Sequence, residues 1–206
     1  MFKKKRQLEI ALQSIQTFKN PKVEFEQYQT PAEIAADLLW NAKSRGDIEN
    51  MKVADLACGT GILSIGAALL GAKEAVGVDI DSLAINIAQE EASNKGLENV
   101  RFITADIYDF KETADTVIQN PPFGAQKAHR KEADRLFMEK SLEIAPVVYS
   151  FHLAETEEFV KNYFQAEGGE ITHTFHYQFP IPKIYDFHQK EKVEVDVVVV
   201  RVERRS

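Results

Sequence analysis

Four consecutive residues, Asn120-Pro121-Pro122-Phe123, carry the most chemical information in the chain. The run before them, Asp115-Thr116-Val117-Ile118-Gln119, is apolar and reads as a buried strand. Neither proline can donate a backbone hydrogen bond, so the ladder stops there, and Gly124 lets the chain turn. Asn120 therefore falls at the carboxyl end of a strand, where open α/β sheets bind their ligands. Its amide oxygen and the carbonyl of Pro121 can each accept one N–H bond from the same nitrogen. Two such bonds favour a tetrahedral nitrogen whose lone pair is free to meet a methyl donor. Phe123 offers a face for a planar ring, worth roughly 1–3 kcal/mol for a base on an aromatic. The chemistry that fits is methyl transfer to a nitrogen conjugated with a π system. The same tetrapeptide also fits a plain Asn-Pro turn with Phe123 in the core.

Positioning such a turn requires a strand-and-helix alternation, and the chain has one. Leu8, Leu12, Ile15 and Phe18 recur at helical spacing, which predicts a helix over 4–19 that Asn20-Pro21 ends. Thr30, Pro31 and Glu33 read as a capping box with proline at the first helical position. From Met51 onward, strands at 53–57, 75–79, 100–104, 114–119 and 147–151 alternate with helices, among them one over 130–145 with Ala133, Leu136, Phe137 and Ile144 buried. Asp81 or Ser82 can cap one helix, Gly96 can stop it, and Thr156 can cap the last. Two β-rich runs, 170–179 and 193–202, are close enough to pair antiparallel. The pattern predicts a doubly wound, mostly parallel α/β sheet of seven strands with a C-terminal antiparallel hairpin. In such a sheet the third strand lies at an edge, with unpaired backbone groups that another protein can cover.

A second group of residues fits a cofactor. Cys58-Gly59-Thr60-Gly61 is a glycine turn between the first of these strands and its helix, where backbone can approach a ligand closely. Ser64 stands where a dinucleotide site would place its third glycine. Asp55 precedes the turn, Asp79 ends the second strand and Asp106 follows the third. A carboxylate at Asp79 can take both hydroxyls of a ribose. Asp106 can accept from an adenine amino group, with Ile80 and Ile107 packing on the ring. Each acid alone also fits a helix cap or a solvated loop; three at successive strand ends, beside the Asn120 turn, point to one cleft.

Composition bounds the rest. The 206 residues suffice for a single domain over 1–206, and 44% hydrophobic content supplies a core. No apolar stretch is long enough to span a bilayer. Cys58 is the only cysteine, which excludes an internal disulfide or a cysteine metal cage and makes a cytoplasmic location the expectation. A net charge of −7 argues against a general nucleic-acid coat, but not against a local basic site. Lys127, His129, Arg130 and Lys131, then Arg135, cluster after the Asn120 turn and fit either phosphate contacts or a solvated helix start. His173 and His176 fall on opposite faces of a strand, so no metal site is expected.

Asp55-Leu-Ala-Cys-Gly-Thr-Gly61, Asp79, Asp106 and Asn120-Pro-Pro-Phe123 resemble the class I S-adenosylmethionine-dependent amino-methyltransferases, with their Rossmann-like sheet. Glu26-Gln-Tyr-Gln-Thr30, Val148-Tyr-Ser-Phe-His152 and Tyr185-Asp-Phe-His188 extend the likeness to the methyltransferase-like-five family, in an archaeal form. The loop 125–131 departs from that family's glycine- and asparagine-rich segment. The resemblance implies adenine-N6 methylation of structured RNA, small-subunit ribosomal RNA above all, with S-adenosyl-L-methionine as cofactor. It implies that the N-terminal helices, 1–45, form a lid over a core at 50–206. Gln27, Tyr28 and Thr30 would close over the amino-acid end of the cofactor, and Asn120 to Phe123 would hold the flipped adenine. It further implies a small zinc-binding activator protein on the third-strand edge. Protein glutamine-N5 methylation, DNA adenine-N6 methylation and a non-catalytic RNA-binding assembly role remain alternatives.

Overall fold

The computed structural model describes residues 2–18, 29–122, 130–182 and 192–205. Two helices come first, α1 (Lys5–Gln13) and α2 (Ala32–Ser44). The alternating part follows as β1 (Lys52–Leu56), α3 (Ile62–Leu69), β2 (Glu74–Asp79), α4 (Ser82–Asn94), β3 (Val100–Thr104) and β4 (Thr116–Gln119). Then come α5 (Arg130–Ile144), β5 (Val147–Leu153), α6 (Glu157–Ala166), β6 (Gly169–Pro182) and β7 (Lys192–Arg204).

The seven strands form one sheet in the order β3-β2-β1-β4-β5-β7-β6. The first five are parallel, and β7 runs antiparallel to both β5 and β6. β3 lies at an edge, as the topology predicts. Burial accounts for the parallel part. Val53, Ala54, Leu56, Ala75, Val76, Val78, Val117 and Ile118 are all essentially inaccessible, so strands covered on both faces read as continuous apolar runs. One face packs against α1 to α4 through Leu8, Leu12, Leu38, Leu39, Ile65 and Ile85. The other packs against α5 and α6 through Met138, Leu142, Val160 and Phe164.

Several local expectations are corrected. α1 stops at Gln13, because Ser14 turns its hydroxyl back to the Ala11 carbonyl at 2.9 Å, a local bond that competes with helix continuation. α2 is capped by Pro31, whose carbonyl accepts the Ala35 N–H at 2.9 Å; Thr30 makes no cap bond, since its hydroxyl is engaged elsewhere. Thr156 occupies the cap position of α6 but donates back to Leu153 O at 2.8 Å. β4 starts at Thr116, because the Ala114 N–H goes to Ile144 O and the Asp115 carboxylate takes the Lys52 N–H. The buried face of α5 is Met138, Leu142 and Ile144; Leu136 and Phe137 are half-buried and turn toward a cleft. Asp81 does cap α4, accepting from the Leu83 N–H at 3.1 Å, and Gly96 closes that helix at φ +63°.

The N-terminal helices are built into the core rather than appended to it. Leu8 and Leu12 of α1 are fully buried against α2 and α3. Among the described residues no helix is long and apolar enough to cross a membrane.

Candidate active site

A cleft of about 340 Å³ opens at the carboxyl ends of β1 to β4, where the chain crosses from one side of β1 to the other. Its floor is the turn after β1. Gly59 and Gly61 have φ of +54° and +84°, and Ala57 stands at +60°, a left-handed conformation that costs a non-glycine residue roughly 1–2 kcal/mol. The strain is held by the Cys58 N–H, which donates to Val78 O of β2 at 3.0 Å. The left-handed φ at Gly59 favours glycine, and a Cβ there would press on the tip of the Phe18 ring at 2.9 Å.

The three acids are placed differently from one another. Asp55, 1% exposed, gives one oxygen, Oδ2, to the Ser64 hydroxyl at 2.6 Å and the Ser64 N–H at 3.0 Å. Burial pushes its carboxyl up to about 7 against the pull of those bonds. Asp79 bridges the turn to α4. Its Oδ2 accepts the Gly59 N–H at 2.8 Å and its Oδ1 the Asp81 N–H at 2.9 Å. Burial raises its pKa, with these backbone donors opposing. Asp106 accepts the Tyr108 N–H at 3.0 Å. All three line the cleft together with Gly59, Ile80, Ile107, Asn120, Pro121 and Pro122.

Asn120 has the most specific arrangement. Its Nδ2 donates to Thr30 Oγ1 at 2.9 Å, and its Oδ1 is buried with no hydrogen-bond partner among the described residues. Asp55 Oδ1, in β1 before the turn, and Thr60 Oγ1, within it, are in the same condition. An unsatisfied buried polar atom costs about 1–3 kcal/mol, and two of them on residues that line one cleft, Asp55 and Asn120, fit a site completed by a ligand with polar groups of its own. These residues therefore fit a cofactor with ribose, amino and carboxylate groups.

Gln119, just before Asn120, points to the opposite face of the sheet. Its Nε2 reaches Ser150 Oγ at 2.9 Å and Phe137 O at 3.3 Å. Ser150 Oγ lies 2.7 Å from His152 Nε2. Burial holds the His152 imidazole down at about 3, so it is neutral and can accept the serine proton. This chain fastens α5, and with it Phe137, to the strand that carries Asn120.

Of the predicted site residues, Gln27, Tyr28, Phe123 and Lys127 lie outside the described residues. Arg130 and Lys131 form the first turn of α5. Phe18, Tyr108, Leu136 and Phe137 line the cleft and are missed by sequence reasoning. Phe18 shares helical spacing with Leu8 and Ile15, which hides it among core positions. Tyr108 had a signal: an aromatic two residues after a strand-end acid. Burial, and after it the nearby Asp55 and Asp79 carboxylates, push the Cys58 thiol well up, so it is an inert lining residue. Among the described residues no three His, Cys, Asp or Glu side chains are grouped to hold a metal.

The insertion of β7 between β5 and β6, joined to a cleft at the β1/β4 switch point, defines a Rossmann-like methyltransferase. Comparison with known proteins agrees. The methyltransferase small domain family matches residues 32–145, and the chain belongs to that family. An uncharacterized protein of Methanocaldococcus jannaschii is 43% identical over 98% of this chain and 94% of its own. The rRNA N(6)-adenosine-methyltransferase METTL5 of Danio rerio is 34% identical over 96% of this chain and 98% of its own. A crystal structure from Pyrococcus horikoshii, of a candidate RNA methyltransferase, superposes with a TM-score of 0.91 at 42% identity and covers 100% of both chains.

Proposed function

We propose that this methyltransferase transfers the methyl group of S-adenosyl-L-methionine to N6 of an adenosine in ribosomal RNA, and that the small-subunit RNA is its target. The observation that carries the reading is Asn120 Oδ1, a buried acceptor with no hydrogen-bond partner among the described residues, on a residue that lines the same cleft as Asp79 and Asp106. Relatives named as rRNA N(6)-adenosine methyltransferases, similar over nearly the whole chain, support the substrate class.

The cofactor, when bound, supplies an electrophilic methyl on a sulfonium. The protein's own residues do the rest. Asp79 takes the ribose hydroxyls on the lone pairs its backbone bonds leave over, and Asp106 takes the adenine amino group, with Ile80 and Ile107 against the ring. Asn120 Oδ1 and the Pro121 carbonyl accept the two N–H bonds of the target amine, which frees its lone pair for attack, and Phe123 stacks on the target ring. The methylated nitrogen becomes acidic and loses its proton to water, so no protein base is assigned. Thr30, with Gln27 and Tyr28 on the lead-in to α2, closes the lid. Lys127, Arg130 and Lys131, at and before the start of α5, hold phosphates of the RNA. The exposed edge of β3 takes a small zinc-binding activator protein, and the enzyme acts in the cytoplasm.

The test is to incubate the full chain with labelled S-adenosylmethionine and total RNA, DNA and protein from the source organism, then map the label. A single N6-methyladenosine in small-subunit RNA supports the reading. Label in protein glutamine, in DNA or in no macromolecule overturns it.

A further inference from the structure

Thr30 and Asn120 are 90 residues apart in the chain, and the hydrogen bond between their side chains is the direct polar tie between the start of α2 and the turn after β4. Thr30 is 5% exposed. Its backbone is fixed by Pro31, which caps α2, and α2 is anchored in the core by Leu38 and Leu39. The Thr30 hydroxyl is therefore a fixed partner for Asn120 rather than a mobile surface group.

An amide side chain offers an acceptor on one side and donors on the other, and a half-turn exchanges them. In the structure the Asn120 NH2 group faces Thr30, and the carbonyl oxygen is left buried without a partner among the described residues. The opposite orientation would aim N–H bonds at an incoming amine, donor against donor, and would neither bind it nor localise its lone pair. A hydroxyl can accept or donate, and here the Thr30 oxygen faces the Asn120 amide nitrogen, which favours the first of these two states.

We propose that Thr30 is a positioning residue for methyl transfer. By accepting from Asn120 Nδ2 it holds the amide with Oδ1 toward the target nitrogen, so that the catalytic turn is completed by a residue of the N-terminal lid. The inference rests on the reading of Asn120 Oδ1 as the acceptor for the target amine. It also accounts for the missing cap bond of α2: the hydroxyl that a capping box would use is committed to Asn120.

The experiment is a double-mutant cycle on the full chain at saturating cofactor and RNA, in single-turnover mode, with folding followed by circular dichroism. Thr30→Val keeps the side-chain shape and removes the acceptor; it is expected to lower kcat by roughly 10–100-fold, the scale of a misplaced reacting group. Thr30→Ser restores the hydroxyl and is expected to return kcat to within about threefold of wild type, because the acceptor itself is what positioning requires. In the Asn120→Ala background, Thr30→Val is expected to change kcat by less than about twofold, since a residue acting through Asn120 has nothing left to act on. A readout independent of turnover is the Asn120 side-chain amide in 15N spectra, assigned by its loss in Asn120→Ala. Its protons are protected from exchange in wild type and in Thr30→Ser, and unprotected in Thr30→Val.

Equal losses from Thr30→Val in both backgrounds, full kcat in Thr30→Val, or unchanged amide protection would each overturn the proposal. Failure of the underlying reading looks different: Asn120→Ala alone would then retain wild-type turnover.

Discussion

Ser64 donates twice to one oxygen of Asp55, from its hydroxyl at 2.6 Å and from its backbone N–H at 3.0 Å. The serine that breaks a dinucleotide-type glycine pattern is thus the clamp on a buried carboxylate, and it leaves Asp55 Oδ1 for the cleft. Burial outweighs the clamp, and the Asp55 pKa rises from 3.8 to about 7. A carboxyl raised in the folded state stabilises the fold fully below its unfolded pKa, and that contribution is lost as pH climbs toward the folded value. His152 works in the opposite sense over roughly pH 3 to 6.5, because its imidazole is held neutral by burial. The difference between wild type and Asp55→Asn isolates the carboxyl. The variant should gain in thermal midpoint relative to wild type between about pH 4 and pH 7, where unfolded wild type ionises at Asp55 while the folded protein keeps the proton. Parallel midpoint-against-pH curves for the two proteins would show that Asp55 is not the titrating group.

Asp79 holds the Gly59 N–H and the Asp81 N–H, one on each oxygen. Asp79→Ala should weaken S-adenosylmethionine binding by about 1.5–3 kcal/mol, the range for hydrogen bonds to a charged group. Asp79→Asn separates the two jobs. It retains one acceptor for the turn and removes the charge, so it should bind more weakly than wild type and more tightly than Asp79→Ala. Calorimetric titration of the three proteins gives the order directly; a wild-type dissociation constant in folded Asp79→Ala would place the ribose elsewhere.

Asp47 follows α2 and is buried with Arg201 of β7. Arg201 Nε donates to its Oδ2 at 2.8 Å and Nη2 to its Oδ1 at 3.1 Å, while the Tyr149 hydroxyl takes a further place on Oδ2 at 2.6 Å. The Asp47 carbonyl accepts from Thr116 Oγ1 at 2.7 Å, so the same residue touches β4, β5 and β7. Removing one member of a buried ion pair leaves the other uncompensated, which costs about 3–5 kcal/mol. Glu203, 2.5 Å from Arg201 Nη1, keeps part of the compensation and places Asp47→Ala toward the lower end. Urea unfolding measures it, and a loss under about 1 kcal/mol would mean that water replaces the carboxylate at little cost.

Gly77 in β2 has no room for a methyl. A Cβ there would lie 2.5 Å from the Phe102 ring and 2.8 Å from Ser64 Oγ. The same ring lies 2.8 Å from where a Cβ on Gly61 would be, so Phe102 is wedged between β2 and the cofactor turn. Gly77→Ala should destabilise by about 1–3 kcal/mol through overpacking. It should also weaken cofactor binding by pressing the ring on the turn. Phe102→Leu in the same chain should recover part of both losses; additive losses in the double variant would place the strain elsewhere.

The parts of this site that rest on near neighbours in the chain are readable from the sequence. Strand-and-turn periodicity, the glycine turn, the Asp81 cap, the double-proline stop and the edge position of β3 follow from local pattern and connection rules. Contacts between distant segments are not readable. Nothing near Thr30 announces Asn120, and the capping-box pattern is locally complete, so the local reading fails where a buried partner outcompetes it. Phe18 falls in helical register with core residues and is instead the cover of Gly59. The left-handed φ of Ala57 has no signal in residue type, because it is imposed by the pull of the chain between β1 and Val78 O. Leu136 and Phe137 are apolar at helical spacing, and composition cannot tell a core face from a cleft wall.

The order in which the last two strands sit has a consequence for assembly. β6 precedes β7 in the chain but joins the hydrogen-bonded sheet through it, since β7 lies between β6 and β5. β6 has no docking place until β7 is laid down, so the pair must associate with each other before or as they join β5. A fourteen-residue strand would otherwise wait with both backbone edges unpaired. The amides of β6 and β7 should then open to hydrogen exchange as one unit, distinct from the five parallel strands. Loosening the Val148–Val202 and Phe151–Val199 pairs of β5 and β7 would release the hairpin together with its Tyr177–Asp37 tie to α2 and its Arg201–Asp47 tie just beyond that helix, while β3, β2, β1 and β4, which carry the three acids and Asn120, keep their own pairing.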